Sequence, residues 1–229
     1  MSARTAGGPP VVLYEDNHCL CVEKPAGTPT AGDDSGDRSL LDAAKDYIKE
    51  KYKKPGDVYL GLVHRLDRPV SGVVLFARTS KAAARLSEQF RGRRAKKTYL
   101  AVVAGPGPAE PTLCRDFLKK DRVKNRSRVV PDGTPDGAEA VLDCRTLKRH
   151  GDRALLEIRP ETGRPHQIRV QLAVRGWPIV GDVKYGGPPL PAEEGGRWIA
   201  LHAARLEVGH PTRDDVVSTE CPLPPYWPF

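Results

Sequence analysis

The sequence predicts an α+β chain, because short apolar runs of strand length alternate with two or three segments of helical period. Turn residues mark the junctions, as in Pro55-Gly56, Gly105-Pro106-Gly107-Pro108 and Pro131-Asp132-Gly133. The length of 229 residues, 39% of them hydrophobic, suffices to bury a core. Lys and Arg number 37 against 29 Asp and Glu, a net charge of +8 that attracts polyanions, nucleic acid foremost, although a basic protein with no polyanionic ligand has the same balance. No stretch approaches the roughly 18 apolar residues of a membrane span. The opening Met1-Ser2-Ala3-Arg4-Thr5 lacks the apolar core of a secretory signal, so a cytoplasmic location is expected. Five scattered cysteines without Cys-x-x-Cys spacing are expected to be reduced thiols and not zinc ligands.

Residues 1–10 read as a disordered tail. Val11–Tyr14 and Cys19–Val22 then read as two strands of a hairpin around Glu15-Asp16-Asn17, and Lys24-Pro25-Ala26-Gly27 ends the second. Ser39 with Asp42 makes a capping-box start, and Leu40, Ala44, Tyr47 and Ile48 recur at helical spacing before Pro55-Gly56 stops the helix. Lysines 45, 49, 51, 53 and 54 crowd its second half, where they suit the negative end of the dipole. Val73–Ala77 reads as a buried strand. Ser80 to about Arg91 reads as a helix burying Ala83, Leu86 and Phe90, with Gly92 closing it. Arg91, Arg93, Arg94, Lys96 and Lys97 form a basic rim ahead of the strand Tyr99–Val103. The run Lys119–Arg128 is the densest in charge and lacks a period, so it reads as a loop or ragged hairpin. Strands are expected from Ala140 to about Leu147 and from Ala154 to about Arg159, and a helix from Ile168 to Ala173.

Two clusters carry chemistry. In His64-Arg65-Leu66-Asp67-Arg68-Pro69-Val70-Ser71-Gly72 one carboxylate stands between two guanidinium groups at the entry to a strand. An opposite charge within about 4–6 Å lowers an Asp pKa by roughly 1–3 units, which makes Asp67 an anion suited to act as nucleophile or electrostatic stabiliser. Taken alone, the triplet reads equally well as a surface salt-bridge cluster. In Thr162-Gly163-Arg164-Pro165-His166-Gln167-Ile168-Arg169 a glycine-bearing turn leads into a helix start, which with its arginines makes an anion site. His64, Asp67 and His166 are residue types that bind metals, but the arginines beside them would repel a divalent cation, so no metal is expected.

The first cluster closely resembles the signature loop of the RluA-type family of RNA pseudouridine synthases, with Val70 where that family usually has Thr. Lys24-Pro25-Ala26-Gly27, Lys97-Thr98-Tyr99 and Thr162–Arg169 resemble three further elements of the same family. Trp177–Asp182, Lys184-Tyr185-Gly186, Leu201-His202-Ala203 and His210-Pro211 resemble its closing elements in order. The resemblance implies a mixed, mainly antiparallel sheet with flanking helices and a central basic cleft. It implies isomerisation of uridine to pseudouridine in RNA, without cofactor or metal. Asp67 would be the catalytic carboxylate, Arg164 would pair with it, and Tyr99 would lie against the target base. Residues 11–229 would form one catalytic domain with no separate RNA-binding domain. Arg65, the expected wedge for a flipped nucleotide, would contact RNA together with His64, Arg68, Lys97 and Arg169. Lys119, Lys120, Arg122 and Lys124 would form a phosphate-contacting arm. Ribosomal RNA and transfer RNA both fit this signature, and a monomer is expected. A non-catalytic RNA-binding or chaperone protein would need the basic surface but not Asp67. A metal-dependent phosphodiesterase would need a carboxylate-rich pocket in place of an arginine-rich one.

Overall fold

A computed structural model describes residues 8–33, 35–190 and 198–229. In chain order its elements are β1 (Val12–Glu15), β2 (Cys19–Lys24), α1 (Leu40–Lys51), β3 (Gly61–Leu62), β4 (Ser71–Ala77), α2 (Ser80–Arg91), β5 (Lys96–Ala104), β6 (Thr112–Asp121), β7 (Arg126–Val130), β8 (Ala138–His150), β9 (Arg153–Pro160), α3 (Gln167–Ala173), a 3-10 turn at Val183–Tyr185, β10 (Leu201–Gly209) and β11 (Val216–Glu220). The chain forms two compact units, Met1–Lys96 with Ala203–Pro225, and Lys97–His202 with Tyr226–Phe229. The expected α+β class with helices packed on an antiparallel sheet is the one observed. Most of the expected tail, residues 1–7, lies outside the described residues.

In the first unit the strand order is β1-β2-β4-β10, with β11 on β10 and β3 on β4. All seven residues of β4 are buried, which is why Ser71–Ala77 reads as a nearly unbroken apolar run. Helix α1 starts on the expected capping box: Ser39 Oγ accepts from Asp42 N at 3.2 Å, and Asp42 Oδ2 accepts from Ser39 N at 3.1 Å. Helix α2 is capped by Thr79, whose Oγ1 accepts from Ala82 N at 3.1 Å, and it packs on β3 and β4. Gly72, at φ +124°, lies at a close approach of β4 to the backbone of Ala203. A Cβ there would lie 2.3 Å from the Ala203 carbonyl oxygen, so no other residue fits.

In the second unit the order is β5-β9-β8-β6-β7, each pair antiparallel. Helix α3 packs on β6 and β7. The basic run at 119–128 is a regular hairpin: Lys119 faces Arg128, Lys120 faces Ser127, and the turn at its end holds Asn125 at φ 43°. All five cysteines are buried as thiols. Among the described residues no helix is long and apolar enough to cross a membrane.

Candidate active site

The loop that carries Asp67 is held on both sides by side chains buried beneath it. Thr30 Oγ1 accepts from Leu66 N at 3.2 Å and donates to Leu66 O at 2.9 Å. Lys24, fully buried at the end of β2, donates from Nζ to three carbonyls: Pro25 at 3.0 Å, Thr28 at 2.7 Å and Arg68 at 3.0 Å. Gly27 N donates to Arg68 O at 2.8 Å, and Arg68 Nε returns a bond to Gly27 O at 2.9 Å. The residues before and after Asp67 are thus both pinned to the 24–30 segment. Val70 N closes a turn onto Asp67 O at 3.0 Å, and the half-buried side chain leaves from a fixed backbone.

Two neighbours in the signature, Arg68 and His64, are engaged by the protein itself. Arg68 does not serve as a free flanking cation, because its guanidinium ion-pairs with Asp33 at 3.7 Å and with Asp37. His64 is engaged by the fold: its Nε2 accepts from Leu75 N at 2.9 Å and its ring stacks on Phe90 at 4.6 Å. Arg65 is exposed.

Lys24 was legible only as part of a turn, yet it carries the most perturbed cation of this unit. Burial pushes its ammonium down to about 7, while the Asp67 carboxylate pulls the other way. The unfolded chain holds this proton up to about pH 10.4 and the folded chain releases it near 7, so Lys24 makes folding less favourable as pH falls across that window. Lys24→Met is expected to destabilise the protein by about 1–3 kcal/mol, because the carbonyls lose their donor. The gap between wild type and variant should widen with rising pH, by at most ~1.4 kcal/mol per unit. Urea unfolding at pH 7 and pH 9 checks this, and a gap that stays constant or narrows would show that Lys24 is not buried as described.

In the second unit the 162–169 signature is stitched to β8. Gln167 Oε1 accepts from Thr162 Oγ1 at 2.7 Å and from Arg164 N at 3.0 Å, and Gln167 Nε2 donates to Val141 O at 3.0 Å. Thr162 Oγ1 also accepts from Val141 N at 2.9 Å. Arg164 is half-buried and donates from Nε to Glu139 O at 2.8 Å. Tyr99 lies on β5 opposite Ile158, half-buried. Lys97, two residues before it, reaches Thr162 O at 3.4 Å, and burial lowers its ammonium to about 8. Lys97, Tyr99, Thr162 and Arg164 therefore belong to one unit, with Lys97 joined to the 162–164 turn.

Arg169, expected at the RNA surface, is instead 6% exposed and gripped by Asp182 through Nε at 2.7 Å and Nη2 at 2.8 Å. A guanidinium buried and paired in this way serves the fold, and losing Asp182 would leave its charge uncompensated. On the hairpin, Lys119 is tied to Pro135 O at 2.9 Å and to Asp136 at 3.4 Å, and Lys120 to Asn125 and His166. Arg122, Lys124 and Arg128 are exposed.

Asp16, Cys19 and His210 gather ligand atoms within 4.8 Å of one another. Asp16 Oδ1 accepts from His18 N at 2.8 Å and Cys19 N at 2.7 Å, and Oδ2 takes Tyr14 Oη at 2.9 Å and His210 Nε2 at 2.7 Å. His210 Nδ1 accepts from Thr212 N at 3.2 Å and Arg213 N at 3.0 Å, which leaves the ring proton on Nε2. Burial pushes the Cys19 thiol up to about 12. With its lone pairs engaged, the cluster reads as a strut between β1 and the 210–213 turn, not as a metal centre.

Comparison with known proteins identifies the family. Residues 18–174 match the family model described as RNA pseudouridylate synthase. The chain is 38% identical to ribosomal large subunit pseudouridine synthase D of Xanthomonas campestris pv. campestris, covering 93% of the chain and 66% of that protein. It is 33% identical to ribosomal large subunit pseudouridine synthase C of Vibrio cholerae, covering 93% and 65%. The chain thus spans about two thirds of the length of these curated relatives. Among solved structures, human RNA pseudouridylate synthase domain containing 4 superposes with a TM-score of 0.78 at 24% identity, covering 95% of this chain and 90% of that one, which shows a shared fold.

Proposed function

Because this chain belongs to the RNA pseudouridylate synthase family, we propose that it isomerises uridine to pseudouridine in large-subunit ribosomal RNA. The two relatives named above are ribosomal large subunit synthases, which favours that RNA over transfer RNA. The observation that carries the proposal is the Asp67 loop, whose residues on both sides are locked by Thr30, Lys24 and Gly27. A carboxylate on a fixed backbone loses little freedom when it reacts, which is what a nucleophile or charge stabiliser needs.

In the proposed reaction the target uridine leaves its stack and Arg65 fills the gap. The N1–C1′ bond breaks, the uracil turns, C5 bonds to C1′, the C5 proton leaves and N1 gains a proton. Asp67 supplies the anion that acts on ribose or base, Arg164 takes the guanidinium role that the family resemblance gives it, and Tyr99 lies against the uracil, where a phenol both stacks and hydrogen-bonds. The enzyme works as a cytoplasmic monomer without metal. Pseudouridine mapping of total RNA from cells with and without this protein tests the assignment. The expected result is loss of one or a few large-subunit sites. A loss confined to transfer RNA would overturn the substrate, and no loss anywhere would overturn the activity.

The hairpin tip takes the part of the phosphate track. Neutralising Arg122, Lys124 and Arg128 together should lower the slope of log affinity against log salt by about two, at roughly 0.7 per single-strand phosphate contact. An unchanged slope would make the hairpin a solvated arm.

A further inference from the structure

Two consecutive residues of the second signature, Pro165 and His166, are held by two residues that face each other across the basic hairpin. Lys120 of β6 pairs with Ser127 of β7. Ser127 Oγ donates to Pro165 O at 2.6 Å, and Lys120 Nζ lies 3.2 Å from His166 Nε2. An ammonium offers only protons, so Nε2 accepts, and the ring proton sits on Nδ1, which donates to Tyr185 Oη at 2.8 Å. The same phenol oxygen accepts from Ser127 N at 2.8 Å and turns its own proton toward Ser127 O at 3.3 Å. Ser127 is 2% exposed, and Tyr185 lies beneath the guanidinium groups of Arg126 and Arg169, at 5.0 and 5.1 Å from its ring centre. His166 adopts φ 55°, a left-handed conformation that a residue with a Cβ keeps only when its surroundings over-determine it. Lys120 and Tyr185 are those surroundings.

We propose that Lys120 and Ser127 are a positioning pair for Arg164. They fix the backbone of Arg164-Pro165-His166 through Pro165 and His166, and so set the direction of the Arg164 guanidinium, whose Nε is already held by Glu139 O. The hairpin that offers Arg122 and Lys124 to RNA and the turn that carries Arg164 are then one rigid piece, in which substrate engaged at the tip bears on the orientation of the arginine. This inference rests on the activity proposed above and adds to it a residue pair that touches neither substrate nor Asp67 in the proposed reaction.

The test is single-turnover release of tritium from a large-subunit ribosomal RNA transcript labelled at uridine C5, at saturating protein, with Kd measured in parallel. Ser127→Ala and Lys120→Met each remove one contact, while Ser127→Thr keeps the hydroxyl and Lys120→Arg keeps the cationic donor. Rate constants for the first two are expected to fall about tenfold or more, since small misplacements of a reacting group are costly. The conservative partners should recover to within about threefold of wild type, and Kd for Ser127→Ala should stay within about twofold, since no charge is lost. The inference is overturned if both removals turn over at the wild-type rate, or if the conservative variants do no better than the removals. Should Ser127→Ala fail to fold, the Lys120 pair decides by the same criterion. Wild-type protein that releases no tritium overturns the activity itself, and the inference with it.

Discussion

Asp67→Asn is expected to reduce pseudouridine formation by at least about three orders of magnitude, because the amide keeps the shape of the side chain and removes the nucleophilic charge. The fold should tolerate the change. The turn at Asp67 is closed by its backbone carbonyl, and Leu66 and Arg68 are held through main-chain atoms. Affinity for RNA should stay within about threefold, since a single charge alters a polyelectrolyte contact little. The variant should also lower the proton affinity of Lys24 further, because Asp67 is the charge that favours its ammonium. Tritium release and filter binding on the same preparation separate the two effects. A variant that binds RNA and still turns over would remove Asp67 from the mechanism.

The parts of this fold that were legible in the sequence are those decided within a few residues. The capping box at Ser39 and Asp42, the Gly92 stop of α2, and the β1–β2 turn each depend on neighbours in the chain. Strand β6 was not legible over Thr112–Leu118. It places Asp116 on the face covered by α3, where Arg175 pairs with it at 2.8 Å and Gln171 donates to it at 2.7 Å, partners more than 50 residues away. The same distance explains the arginines. Arg68 beside Asp67, and Arg169 within a signature, both read as cations waiting for an anion. Their partners are Asp33 and Asp37 in one case and Asp182 in the other, and nothing local announces them. Lys24 and Gln167 stood in the motifs but were read as a turn residue and a helix start, because a buried donor facing backbone carbonyls leaves no periodic trace. What the sequence hid was which of these residues are already engaged by the protein.

Arg164→Lys is the second large effect expected, and it tests planarity apart from charge. The wild-type side chain is anchored by Nε to Glu139 O, and that bond aims the rest of the guanidinium, so in the proposed reaction two nitrogens in one plane are left for a carboxylate. Lysine retains the positive charge but has a single nitrogen, which must choose between Glu139 O and the anion. If Arg164 acts only as a point charge, the rate should fall about threefold or less, whereas loss of a bidentate, oriented contact corresponds to about a hundredfold or more. We expect the larger loss, with Kd for RNA little changed because the net charge is the same. Arg164→Ala gives the floor for comparison, and added guanidinium or ethylguanidinium should restore part of the activity of the alanine variant, while ammonium ions should not. A lysine variant near wild-type rate, or rescue by ammonium as good as by guanidinium, would reduce Arg164 to a general electrostatic contribution.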